Sequence, residues 1–154
     1  SYPSQRRIEI GHFLERDQYL DILCQCHVSV NPFRGEGFGL MPLETACTGM
    51  MTIATNFSGP TDYLRSDCFW PLKYKLSEPQ QDYISTSLHV DFITAPAQDA
   101  IPNMEDLKTA MLWAYNNRDA ARERGRLAHE YVKESWTWDK AAKKFVQACE
   151  EILR

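Results

Sequence analysis

The chain has 154 residues, 44% of them apolar and 25% charged, with a formal net charge of −4 at pH 7. That length suits one domain with ample core, and the negative balance without a basic tract argues against a nucleic-acid partner. No run of about 18 apolar residues exists, so the sequence predicts no membrane-spanning helix, and Ser1-Tyr-Pro-Ser-Gln-Arg-Arg7 is too polar for a signal peptide.

In chain order, Arg7 to Gly11 reads as a strand with Ile8 and Ile10 inward. Asp17 to Cys26 reads as a helix with Leu20, Ile22, Leu23 and Cys26 apolar, and Asp17 is the expected cap. His27 to Asn31 is the second strand. Pro32, Gly35, Gly37 and Gly39 then break regular structure into a loop. From Leu40 to Thr48 the pattern is helical, with Leu40, Leu43, Ala46 and Cys47 on one face and Gly49 as the stop. Met50 to Thr55 is nearly continuous in apolar character, as a buried parallel strand is. Gly59-Pro60 opens a short helix through Leu64.

Residues 66–102 are the difficult stretch, where Phe69 to Tyr74 and His89 to Ile93 are each candidate strands. Asn103 is a good cap for a helix over Met104 to Asn116. Asp119 to Glu134 continues as a charged helix interrupted by Gly125. Thr137 caps a last helix with a strict stripe of Trp138, Ala141, Ala142, Phe145, Ala148, Cys149 and Ile152, a pattern that more often marks core than interface. Alternating strands and helices predict an α/β fold with a parallel, Rossmann-like sheet. Ligands in such sheets bind beyond the carboxyl ends of the strands. Gly11 to Leu14, Pro32 to Gly39 and Thr55 to Gly59 would line that edge.

The stretch Asn31 to Gly49 carries the chemistry. Strand, glycine-rich loop and helix start together form an anion trap, with free N–H groups and roughly +0.5 elementary charge at the helix N-terminus. Glu36 and Glu44 would border that trap, which suits a ligand bearing hydroxyls as well as phosphate.

Five cysteines are an odd number without a framework spacing, so a reducing cytoplasmic setting is the simpler reading. Cys24-x-Cys26-His27 has the wrong spacing for a metal knuckle and reads as a buried helix end. Asn56-Phe57-Ser58 matches a glycosylation acceptor by accident in such a setting. No metal site is expected.

Glu36-Gly-Phe-Gly-Leu-Met-Pro-Leu-Glu44 resembles the E-x7-E motif of retaining GT-B glycosyltransferases, above all family 4. Ile8 to Leu14 resembles that family's strand ending in glycine, Ile53 to Gly59 its next strand and small-residue turn, and Ser135 to Trp138 the start of its last helix. The matches run in family order from about residue 7 to the end. Against the family pattern, Ser58-Gly59 replaces a glycine pair, Asp62 stands where Glu is common, and residues 66–102 look like a subfamily insertion.

The resemblance implies that residues 1–154 form a single nucleotide-sugar-binding domain, the carboxyl-terminal half of a GT-B fold with its opening portion missing. The chain would be a fragment, as its first residue other than Met suggests, and its partner would be an amino-terminal acceptor domain outside the chain. It further implies a hexosyltransferase-type enzyme moving a sugar from a nucleotide diphosphate-sugar with retention of configuration, without cofactor or metal. Glu36 would hold sugar hydroxyls near the reacting carbon. The N–H groups of Phe38, Gly39 and Leu40 would meet the diphosphate at a helix start near Phe38. Glu44 would accept from the ribose, Phe13 and Leu14 would lie beside the base, and Ser58 and Gly59 would complete the donor site. The family's basic pair against the diphosphate has no match, and Arg34 is the nearest substitute, though an exposed loop arginine is the commoner explanation. Peripheral membrane association of the full protein stays open. The alternatives are a sugar-nucleotide epimerase of the same architecture and a non-catalytic binding module. Glycoside hydrolysis ranks below transfer, because the two carboxylates flank a phosphate-type loop.

Overall fold

A computed structural model describes residues 9–78 and 98–153. Its elements are α1 (Arg16–Cys24), β1 (Val28–Asn31), α2 (Leu40–Cys47), β2 (Met51–Thr55), a 3-10 turn (Gly59–Asp62), β3 (Trp70–Leu72), β4 (Tyr74–Leu76), β5 (Ala100–Pro102), α3 (Met104–Asn116), α4 (Arg118–Ser135) and α5 (Trp138–Ile152). The strands β1, β2 and β3 form one parallel sheet in that order. Val28 pairs with Met51 and Asn31 with Ala54, while Ile53 pairs with Trp70 and Thr55 with Leu72. β4 and β5 pair antiparallel as a separate two-stranded ribbon. The molecule is therefore an α/β, Rossmann-like sheet flanked by helices.

β2 is the centre of the sheet, and all five of its residues are buried. Side chains alternate across a strand. Met51 and Ile53 pack with Leu107, Ala110 and Ala114 of α3. Ala54 packs with Leu43 and Ala46 of α2 and with Ala128 and Val132 of α4. Thr52 faces the same way, its hydroxyl 3.2 Å from that of Thr45. Pro71 removes an N–H from β3, a loss that an outer position in the described sheet tolerates.

Several expected elements form as read. Asn103 caps α3 by accepting from Glu105 N and Asp106 N, both at 3.0 Å. Thr137 caps α5 by accepting from Lys140 N at 3.3 Å. Gly49, at φ +81°, ends α2 in the left-handed region.

Other expectations need correction. The strand expected over Arg7 to Gly11 lies partly outside the described residues, and residues 9–11 are in no strand. The third parallel strand of the described sheet is Trp70–Leu72. The candidate strand His89 to Ile93 lies outside the described residues. Helix α1 starts at Arg16, and its cap is Glu15 in a reciprocal box with Gln18; Asp17 sits inside the first turn. The helix ends at Cys24, two residues before the expected Cys26, and both cysteines are exposed, while all five cysteines are free. The buried face of α2 is Pro42, Leu43, Thr45 and Ala46, while Leu40 and Cys47 of the expected stripe are exposed.

Gly125 does not interrupt α4, which runs unbroken through it. A Cβ there would fall 2.0 Å from the Gly49 carbonyl oxygen, so α4 crosses the turn before β2 backbone to backbone. The α5 stripe is not core in the described structure. Trp138 is 85%, Phe145 72% and Ile152 83% exposed. No helix among the described residues is long and apolar enough to cross a membrane.

The Gly125 crossing gives a direct test. Gly125→Ala forces a methyl into the Gly49 carbonyl, and overpacking that moves backbone costs about 1–3 kcal/mol. Urea unfolding should show a midpoint lowered accordingly, with Ala120→Gly at an exposed position of the same helix as a control for helix propensity, about 1 kcal/mol.

Candidate functional site

The site is built where two loops leave the carboxyl ends of β1 and β2. The first runs from Pro32 to Gly39 and the second from Asn56 to the 3-10 turn. They touch through backbone. A Cβ on Gly59 would lie 2.0 Å from Gly37 O and 2.8 Å from Phe38 Cα. Gly39 has φ +81° and caps α2 with no side chain. Its own Cβ would meet Tyr63 Oη at 2.5 Å and Pro60 Cγ at 2.7 Å. Both positions therefore exclude any larger residue, and Gly39 also needs the left-handed backbone that glycine adopts without strain.

Tyr63 closes the clasp. Its buried hydroxyl donates to Gly39 O at 2.6 Å. Burial first, and then the nearby Glu36 charge, push the phenol far above its ordinary value. It therefore stays a proton donor throughout the physiological range. Behind it stands an aromatic cluster. The Phe38 and Trp136 rings lie 5.8 and 5.7 Å from the Tyr63 ring, and Phe38 and Trp136 are 5.8 Å apart. Trp136 Nε1 donates to Tyr131 Oη at 2.9 Å. Phe38 thus anchors the loop by its ring.

Of the residues expected at the site, Glu36, Phe38, Gly39, Leu40 and Gly59 come together in this clasp, and Ser58 immediately precedes its 3-10 turn. Glu36 is exposed beside Gly39 and Tyr63. The helix starts at Leu40, as its pattern predicts and two residues past Phe38, which leaves Leu40 and Met41 as its first N–H groups because Pro42 has none. Glu44 is half-buried on a different side of α2. Its Oε2 lies 3.5 Å from Tyr19 Oη of α1. Burial and then the Glu44 charge raise the thiol of Cys47, which is exposed and not on the apolar face of the helix. Phe13 is 90% exposed and Leu14 half-buried, on the segment leading into α1.

Arg34 forms an ion pair with Asp99 at 2.9 Å, and its carbonyl accepts from Ala100 N at 2.7 Å. The loop is thereby tied to β5, and the guanidinium is already partnered. Among the described residues no group of three or more His, Cys, Asp and Glu could hold a metal ion.

Chemically, the arrangement offers free N–H groups at a helix start, one carboxylate beside them and another about a turn further on. A negatively charged group suits the first and hydroxyls suit the carboxylates. Tyr63, Trp136 and Tyr19 were not visible as site residues in the sequence. Tyr63 stands 24 positions from Gly39 and Tyr19 stands 25 from Glu44, and no local pattern links them.

A parallel α/β sheet with a glycine-rich loop leading into a helix at its strand ends defines a Rossmann-like domain. The chain belongs to the family 4 glycosyltransferases in conflict systems, whose family model matches residues 4–145. It is thus a glycosyltransferase domain. A comparison with curated proteins gives no match.

Ser58 carries a prediction of its own. It has φ +59° and ψ −143°, a combination nearly confined to glycine. Its carbonyl accepts from Thr61 N at 3.0 Å and Thr61 Oγ1 at 2.6 Å, which holds the turn. Strain of this kind costs about 1–3 kcal/mol, against about 0.4–1 kcal/mol for the greater freedom of an unfolded glycine. Ser58→Gly should raise the thermal midpoint, by the equivalent of roughly 1 kcal/mol from those two terms. A lowered midpoint would show that the serine backbone is not strained.

Proposed function

We propose that this chain is the donor-binding portion of a retaining, hexosyltransferase-type glycosyltransferase of GT-B architecture. Its ligand is a nucleotide diphosphate-sugar. The observation that supports the reading most is the clasp of Gly59 against Gly37 and Phe38, locked by Tyr63 on Gly39. It holds a carboxylate, Glu36, beside the N-terminus of α2, which no side chain caps by a hydrogen bond.

In the proposed reaction the bond between the anomeric carbon and the diphosphate oxygen breaks, and a bond from that carbon to the acceptor oxygen forms. The acceptor proton passes to the departing phosphate. N–H groups of Gly39, Leu40 and Met41 take up the charge growing on the diphosphate, an effect where one donor contributes about 3 kcal/mol. Glu36 accepts from sugar hydroxyls and fixes the anomeric carbon. Glu44 accepts from the ribose diol. The Phe38 N–H falls before the helix, and the Phe38 ring keeps the loop in place. Phe13 and Leu14 stand toward the base, and Ser58 and Gly59 toward the sugar-phosphate. The acceptor is held by a separate amino-terminal domain. A cytoplasmic setting belongs to the same proposal, as does the carry-over of the family's association with conflict systems to this chain.

The carboxylates give the test. Hydrogen bonds to a charged acceptor contribute about 1.5–3 kcal/mol. Glu44→Gln should therefore weaken nucleotide binding by roughly tenfold or more, measured by calorimetry with UDP, GDP and ADP. A 2′,3′-dideoxy nucleotide should lose little further on the mutant. Equal losses for both proteins on removing the diol would exclude Glu44 as the ribose ligand. A mere helix-dipole role for Glu44 predicts lower stability, by about 0.3–1 kcal/mol, and unchanged affinity.

The chain on its own should bind donor without transferring sugar. Product formation from UDP-, GDP- or ADP-sugars by residues 1–154 alone would refute the two-domain arrangement. In the full-length protein, Glu36→Gln should lower kcat far more than it alters donor affinity.

A further inference from the structure

We propose that Tyr19 is a positioning residue for Glu44, aiming its carboxylate at the ribose diol of the donor. The inference rests on the reading of Glu44 as the ribose acceptor. Tyr19 lies on α1, whose residues are all at least partly exposed, and its hydroxyl reaches across to α2. There it stands 2.7 Å from Met41 Sδ and 3.5 Å from Glu44 Oε2. The phenol thus lies against a thioether, which is a weak acceptor, with a carboxylate, which is a strong one, at the limit of its reach.

The 3.5 Å contact is at the long limit of a hydrogen bond. Bonds that serve a ligand are often long in the empty site and tighten when it is filled. A ribose diol donating to Glu44 fixes the carboxylate plane, and the phenol then gains more from Oε2 than from sulfur. A carboxylate has about four acceptor positions. Tyr19 takes one on Oε2 and leaves the rest for the two ribose hydroxyls. Burial and the Glu44 charge, partly offset by Arg16, raise the phenol above its ordinary value, so it stays a donor at neutral pH. Tyr19 and Glu44 are 25 positions apart, so the pairing exists only through the docking of α1 on α2.

A ligand-dependent double-mutant cycle tests this. Wild type, Tyr19→Phe, Glu44→Gln and the double variant are titrated calorimetrically with whichever of UDP, GDP and ADP the wild type binds most tightly, and with its 2′,3′-dideoxy counterpart. Tyr19→Phe keeps the ring and removes only the hydroxyl, and thermal unfolding confirms that the fold is retained. The expected result is a loss of about three- to tenfold for the ribonucleotide, the range of one hydrogen bond. Tyr19→Phe should leave the dideoxy nucleotide unaffected and should add nothing further on Glu44→Gln. Equal weakening of both nucleotides would make Tyr19 a mere packing residue and overturn the proposal. So would unchanged affinity for the ribonucleotide. Should Glu44→Gln itself leave ribonucleotide binding intact, the ribose reading of Glu44 fails and this inference fails with it. Loss on Glu44→Gln without loss on Tyr19→Phe overturns the inference alone.

Discussion

The structure depends above all on backbone touching backbone at Gly59. A single methyl there would overlap the Gly37 carbonyl at 2.0 Å. Because it is absent, the loops after β1 and β2 close on each other, and Tyr63 can reach the Gly39 carbonyl at 2.6 Å. That hydrogen bond meets a buried acceptor that would otherwise be desolvated without a partner. The left-handed turn at Gly39 then sends the chain directly into α2. The direction of the helix N-terminus, and hence of its free N–H groups, follows from these contacts.

The same device recurs on the other side of α2. Gly125 lets α4 lie against the Gly49 carbonyl, and His129 Nδ1 donates to the Cys47 carbonyl at 2.7 Å near the helix end. α2 is thus fixed at both ends, by Tyr63 at its start and by α4 at its finish. Between them Leu43 and Ala46 are buried against the sheet. The α5 stripe, with Trp138 and Phe145 exposed, takes no part in this framework.

Each of the two carboxylates has a phenol for a neighbour. Glu36 lies close enough to Tyr63 to raise it, and Glu44 to Tyr19. In both cases burial is the larger cause and the carboxylate the second. A phenol that stays protonated beside a carboxylate is a fixed donor that adds no charge of its own. Tyr63 gives its proton to the Gly39 carbonyl, while the Tyr19 hydroxyl faces the Glu44 carboxylate without cancelling its charge. Arg34, the cation nearest in sequence, is turned to Asp99.

Local rules in the sequence settled what is local. Asn103 and Thr137 cap their helices because a side-chain oxygen at that position meets free N–H groups within three residues. The apolar run of Met50 to Thr55 reads as a strand covered on both faces, and Met51–Thr55 is one. Gly37, Gly39 and Gly49 marked the loop and the end of α2, and Glu36 and Glu44 stood out by spacing. Tertiary structure decided the rest. That Gly125 is a crossing and not a break depends on Gly49, far away in the chain. That Leu40 and Cys47 are exposed, while Pro42 and Thr45 are buried, depends on how α2 sits against the sheet and α4. That Tyr63 and Tyr19 belong with the two glutamates depends on distances only the folded chain sets, since a hydrogen bond spanning more than twenty positions leaves no periodicity to read.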